Sequence, residues 1–144
     1  MKITREADYA VRVVYTIMCC GDKISAREIA EGSGVTVRFA LKILHKLTGA
    51  GIIQSYKGVN GGFTLLQTPE EISIGQIIEC IDGPFEISHC LSENAECTRM
   101  KDKTMCQFRK IFDKVSHDLR DELYAIKMTQ FQIKKNEMNQ QEEM

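Results

Sequence analysis

The sequence has no run approaching the ~18 uninterrupted apolar residues of a membrane span. Its charged opening, Met1-Lys2-Ile3-Thr4-Arg5-Glu6, lacks the apolar centre of a secretory signal. A cytoplasmic protein with no membrane partner is therefore expected. No Ser/His/Asp set, phosphate loop or general-base pair is visible, which argues against an enzyme. No CxxC pair occurs among the 6 cysteines, so the common zinc spacing is absent. There is also no internal repeat.

The most telling absence is local. From Gly32 to Pro69 there is not one acidic residue, while Arg38, Lys42, Lys46 and Lys57 fall in that stretch. The net charge of −1 hides a division: residues 1–67 hold nine Lys+Arg against five Asp+Glu (+4), residues 68–144 ten against fifteen (−5). The first half is suited to meet a polyanion.

At 144 residues the chain has room for one compact domain and an extension. Ile3, Ala7, Ala10, Val14 and Ile17 recur at helical spacing, predicting a helix over 3–20 that Gly21-Asp22 ends. Ser25-Ala26-Arg27-Glu28 reads as a capping box opening a short helix to about Glu31. Gly32-Ser33-Gly34 breaks it, and Thr36 caps a second helix reaching about Thr48. Two short helices across a glycine-containing turn form a helix-turn-helix pattern. Ile52–Tyr56 and Phe63–Leu66 read as strands, with Asn60-Gly61 supplying the positive φ angles of a hairpin turn, so that a wing follows the second helix. Ser73-Ile74-Gly75-Gln76 opens a helix that Gly83-Pro84 stops, and residues 85–103 show no periodicity. A third box, Thr104-Met105-Cys106-Gln107, is expected to begin a last long helix whose apolar face runs from Phe108 through Ile111, Phe112, Val115, Leu119 and Leu123 to Ile126. A stripe of that length marks an interface, hence a homodimer.

The expected fold is mainly α: a winged helix-turn-helix with a small β-hairpin wing and a long C-terminal dimerisation helix. The divisions are 1–83 for the DNA-binding domain, 84–105 for a cluster-binding loop, 106–135 for the dimerisation helix and 136–144 for a disordered tail. The second helix of such a motif lies in the major groove. Arg38 suits guanine, Thr36 a base or phosphate, and Phe39 a thymine methyl unless it packs in the core. Lys42 lies on the same helix and is a contact unless it is merely solvated. Lys46 and the wing's Lys57, Gly58 and Asn60 suit the phosphate backbone.

Cys90, Cys97 and Cys106, separated by six and eight residues, share a polar stretch, unlike Cys19, Cys20 and Cys80 in apolar runs. Three thiolates from an irregular loop suit an iron–sulfur cluster, the bland alternative being unligated redox thiols. Asp8 is a fourth-ligand candidate that can equally pair with Arg12 one turn on. His89 adjoins a ligand, and His117 lies about three turns along the helix.

Together these residues resemble the winged-helix transcription regulators typified by IscR and NsrR. The resemblance spans about residues 1–130. It rests on Lys2-Ile3-Thr4 with Asp8-Tyr9-Ala10-Val11, Glu28-Ile29-Ala30, the helix from Val35 to Leu47, the wing Gly58 with Gly61-Gly62-Phe63, and the three late cysteines. It implies a dimeric repressor of double-stranded DNA with a pseudo-palindromic operator. It also implies a cluster on Cys90, Cys97 and Cys106, 4Fe–4S rather than 2Fe–2S, that senses iron, redox or nitric oxide status. In the nitric-oxide-sensing branch an aspartate matching Asp8 ligates the cluster of the partner subunit. The IscR branch uses a histidine where this chain has Arg109, and a base-reading glutamate where it has Leu41. The alternatives are a metal-free thiol switch and, from another class, a cluster carrier or electron-transfer protein.

Overall fold

The computed structural model describes residues 2–132. The tail expected over 136–144 lies outside them. Helix α1 (Arg5–Cys20) is capped by Thr4, whose hydroxyl oxygen accepts the Ala7 amide at 3.1 Å. Glu6 and Asp8 place negative charge in its first turn, where the helix dipole favours it. Helix α2 (Ala26–Ser33) is capped by Ser25, and α3 (Val37–Gly49) by Thr36, whose hydroxyl oxygen accepts the Phe39 amide at 3.2 Å. Strands β1 (Ile53–Tyr56) and β2 (Gly62–Leu65) pair antiparallel, from Ile53 opposite Leu65 to Tyr56 opposite Gly62. Helix α4 (Ile74–Asp82) follows, and after an irregular segment α5 (Gln107–Ala125). This is the mainly helical winged architecture expected. No helix among the described residues is long and apolar enough to cross a membrane.

One core unites the winged body. Val13, Val14, Ile17, Ile29, Ile43, Leu44, Leu47, Ile52, Ile53, Ile72, Ile77 and Met128 are all essentially inaccessible. Each large aliphatic side chain there contributes about 1.5–3 kcal/mol by leaving water. Met128 lies beyond α5, and its presence shows that the chain comes back. The Ile74 amide donates to the Ile126 carbonyl at 2.9 Å and the Met128 amide to the Ile72 carbonyl at 2.8 Å, stitching the two segments antiparallel.

Several local expectations need correction. The hairpin turn does not use positive φ at Asn60-Gly61. The Gly61 amide donates to the Gly58 carbonyl at 2.9 Å across Val59 and Asn60, and the left-handed residue is Gly58 at φ 98°. Thr104 does not cap α5. Asp102 captures its amide within a short turn over Lys103–Met105, and Cys106 becomes the N-cap of a helix starting at Gln107. At Ser73 only half of the capping box forms, because the Gln76 side-chain amide donates to Gln67 Oε1 at 3.2 Å instead. Helix α5 ends at Ala125, short of the 106–135 span, because Ile126 turns extended to pair with Ile74.

The apolar face of α5 also divides. Leu119, Leu123 and Tyr124 pack on Ala7, Ile78 and Phe85 of the same chain. Phe108, Ile111, Phe112 and Val115 remain 60%, 57%, 37% and 44% exposed. The part of the stripe left exposed is therefore the first half only.

Candidate nucleic-acid interface and thiol segment

The start of α3 projects from the body as a helix-turn-helix requires. Its buried side, Ala40, Ile43, Leu44 and Leu47, fixes the helix on the core, so the opposite side must face outward. An open groove of about 620 Å³ runs along that side, lined by Thr36, Arg38, Phe39, Leu41, Lys42, His45 and Lys46. Thr36, Arg38, Leu41 and Lys42 are exposed. Phe39 is half-buried with its ring edge-on to Tyr9 at 5.6 Å, so it braces α3 against α1. Lys46 is tied to Glu6 at 2.7 Å, and Lys42 lies 3.6 Å from the same carboxylate. Lys46 is therefore not a loose cation, whereas Lys42, 58% exposed, keeps only the longer contact.

Lys57, Gly58 and Asn60 are exposed at the wing, beside a fully exposed Val59. The wing is stiffened by contacts not visible in the sequence. Ile24 and Phe63 exchange both backbone hydrogen bonds, at 3.1 and 2.8 Å, adding a third short edge to the hairpin. Lys23 Nζ donates to the Asn60 carbonyl at 3.1 Å while standing 4.5 Å from the Tyr56 ring centroid. Sequence reasoning missed Lys23, Tyr56, His45 and Glu6. The only signal for Lys23 was its charge, because its neighbours come from residues more than thirty positions away.

The three late cysteines all belong to the irregular segment between α4 and α5, and all are half-buried. Ile87 pins the segment to α5 by donating its amide to the buried Ser116 hydroxyl at 3.0 Å. The Lys103 ammonium donates to the Ala95 carbonyl from within the segment. Cys90 lies in a short turn with its sulfur 3.1 Å from Ser88 Oγ. Cys106 heads α5, where the Arg109 amide and then the Arg99 guanidinium, 3.3 Å from its sulfur, hold its thiol below the ordinary value. Cys80 is the opposite case: burial pushes its thiol up against a smaller opposing pull from Lys46.

Among the described residues, no three His, Cys, Asp or Glu side chains converge closely enough to hold a metal ion. The donor set nevertheless fits an iron–sulfur group chemically, since it offers three accessible thiols, one of them stabilised as thiolate. Asp8 pairs with Arg12 at 3.1 Å, both side chains about half exposed. His117 bonds the Asp113 carbonyl at 2.8 Å, and His89 is exposed. Arg109, at the position of the IscR-branch histidine, has a buried Nε with no hydrogen-bond partner among the described residues.

Comparison with known proteins agrees with this architecture. An HTH-type, rrf2-like transcriptional regulator of Rhodobacter capsulatus is 38% identical over 94 residues, 64% of this chain and 63% of that protein. The transcriptional regulator NsrR of Bacillus subtilis is 28% identical over 96 residues, 65% of this chain and 66% of that protein. The matched part thus covers just under two thirds of each relative's length. The structure of CymR, the global cysteine regulator of B. subtilis, superposes with a TM-score of 0.69 at 19% identity, covering 90% of this chain and 94% of that one, and shows the same fold. These relatives are named as regulators, a non-enzymatic role. The sequence model of Rrf2, described as an iron-dependent transcriptional regulator, matches residues 3–132, and the chain belongs to that family.

Proposed function

We propose that the protein is a cytoplasmic, homodimeric repressor that binds double-stranded DNA through α3 and the wing, under the control of the thiol segment. The observation that carries this reading is the outward, acid-free start of α3, where Thr36 and Arg38 are exposed beside an exposed cationic wing. Arg38 reads a base edge, and Lys57 with the wing backbone meets phosphates. The exposed half-stripe of α5 supplies the dimer contact, and two-fold symmetry then calls for a pseudo-palindromic operator.

Cys90, Cys97 and Cys106 would hold an iron–sulfur cluster, 4Fe–4S in type, with Asp8 of the partner subunit as the fourth ligand. Such a group supplies iron whose state responds to redox conditions, nitric oxide or iron supply. The chain's own part is to bring the thiols together. The segment over 84–105 has little regular structure, so drawing the sulfurs of Cys90 and Cys97 to Cys106 at the head of α5 orders it and changes how α5 sets the two reading heads. Anaerobic purification with iron and sulfide assay and a visible spectrum, followed by titration of labelled duplex, tests the reading. Iron-free protein whose DNA affinity tracks thiol oxidation would support the second reading, a metal-free thiol switch. That reading is favoured by the unconverged thiols and by the likeness to a cysteine regulator.

A further inference from the structure

Glu6 stands in the first turn of α1, yet both of its carboxylate oxygens face α3. Oε1 accepts from Lys46 Nζ at 2.7 Å and Oε2 lies 3.6 Å from Lys42 Nζ, with the glutamate side chain only 19% exposed. Those lysines line the groove on the outer side of α3 with Arg38, which forms no salt bridge among the described residues. The position of the carboxylate is fixed by its own helix. Thr4 donates its amide to Asp82 Oδ2 at 3.1 Å and its hydroxyl to the other oxygen, so the first turn of α1 is latched to the end of α4.

We propose that Glu6 is a built-in competitor of DNA phosphate, holding Lys42 and Lys46 back from the duplex. The inference rests on α3 being the DNA-contacting helix and assigns its cations to two sets. Arg38 is free to read bases, whereas the two lysines, which carry no sequence information as phosphate contacts, are partly neutralised. The Lys46–Glu6 pair, 37% and 19% exposed, is screened less by salt than an exposed one, so phosphate does not displace it without cost, while Lys42, 58% exposed at 3.6 Å, is held more weakly. Sequence-independent affinity depends on the number of phosphates neutralised, and base readout does not. Withholding two lysines therefore lowers affinity for operator and arbitrary DNA alike and leaves base readout to Arg38. Glu6 is a positioning residue that sets overall affinity and its salt dependence.

The test is titration of a random-sequence duplex and an operator selected from a random pool, each over a range of salt. Glu6→Gln should tighten random-sequence and operator binding together, on the order of tenfold at low salt. It should steepen the salt dependence by about 0.9 per lysine released, or about 1.8 for both. In the Lys42→Ala/Lys46→Ala background the same change should do nothing. An unaltered slope in Glu6→Gln overturns the proposal, and so does equal tightening without the lysines, which would be a bulk-charge effect. If Glu6→Gln unfolds, Lys42→Ala/Lys46→Ala decides alone: a slope like wild type supports restraint, and a loss of about 1.8 shows both lysines already on phosphate. Failure of the parent reading looks different, because then Arg38→Ala leaves binding untouched.

Discussion

Gly75 of α4 and Tyr124 of α5 meet where no side chain fits between them: a Cβ at position 75 would lie 2.4 Å from Tyr124 Cδ2 and 2.8 Å from the Tyr124 amide nitrogen. One of these atoms is backbone, so a rotamer change does not relieve the clash. Gly75→Ala should cost about 1–3 kcal/mol by overpacking, even though alanine is the better helix former. Thermal melting checks this, and a variant as stable as wild type would show that α4 and α5 do not cross so closely.

Arg38→Ala should weaken operator binding by about 1–3 kcal/mol and relax selectivity at one operator position. Lys57→Ala should weaken all sequences more evenly and reduce the salt slope by about 0.9. Competition titrations with operator variants separate the two patterns, and wild-type behaviour of both proteins would move the DNA contact away from α3 and the wing.

The division of α5 gives a paired prediction. Ile111→Glu with Val115→Glu, both on the exposed half, should yield folded monomers that bind DNA poorly. Leu119→Ala, which removes a contact with the Ala7–Ile78–Phe85 cluster, should lower the melting temperature and leave the dimer assembled. Sedimentation at micromolar concentration distinguishes the outcomes. A wild-type monomer there would remove the dimer from the proposal.

In iron-free protein the thiols should alkylate in a set order with pH. Cys106, favoured as thiolate by the Arg109 amide and Arg99, should react at lower pH than an ordinary thiol, and Cys80, raised by burial, only at higher pH. The sign for stability follows. The contribution of Cys106 is present above its unfolded value and is lost as pH falls through its lowered folded value. Arg99→Ala should move the Cys106 profile upward. Mass spectrometry of iodoacetamide adducts reads it, and indistinguishable profiles for the two cysteines would refute the assignment.

Asp8→Ala should cost only about 0.3–0.5 kcal/mol in a protomer, as expected for a half-exposed pair one turn apart. If Asp8 is a ligand across the dimer, the same change also alters the visible spectrum of anaerobically purified protein, and Arg12→Ala does not. A spectrum unchanged by Asp8→Ala leaves the residue in its salt bridge.

The elements of the winged body were legible because their signals are local. Helical spacing of Ala10, Val14 and Ile17, capping hydroxyls at Ser25, Thr36 and Ser73, and the glycine break at Gly34 all act within a few residues. The acid-free stretch likewise marked the part proposed to meet DNA. What stayed hidden depends on contacts distant in sequence: Glu6 with Lys46, Lys23 with Asn60, Ile126 and Met128 with the strand-like segment before α4. The misplaced start of α5 has another cause. Asp102 and Thr104 are both good local caps, and the structure resolves their competition in favour of Asp102, which leaves Cys106 to head the helix.

The return of Met128 to the core has a bearing on how the thiol segment is carried. Residues 83–126 depart from the end of α4 and rejoin beside its beginning, so the thiol segment and α5 form an inserted cassette rather than a C-terminal appendage. Both of its attachment points lie on one nine-residue helix, α4, which also packs on α1 and α3. In the proposed regulator, a strain arising in the cassette would reach the DNA-binding head through α4, held at both ends, and through the Ala7 contact on α1.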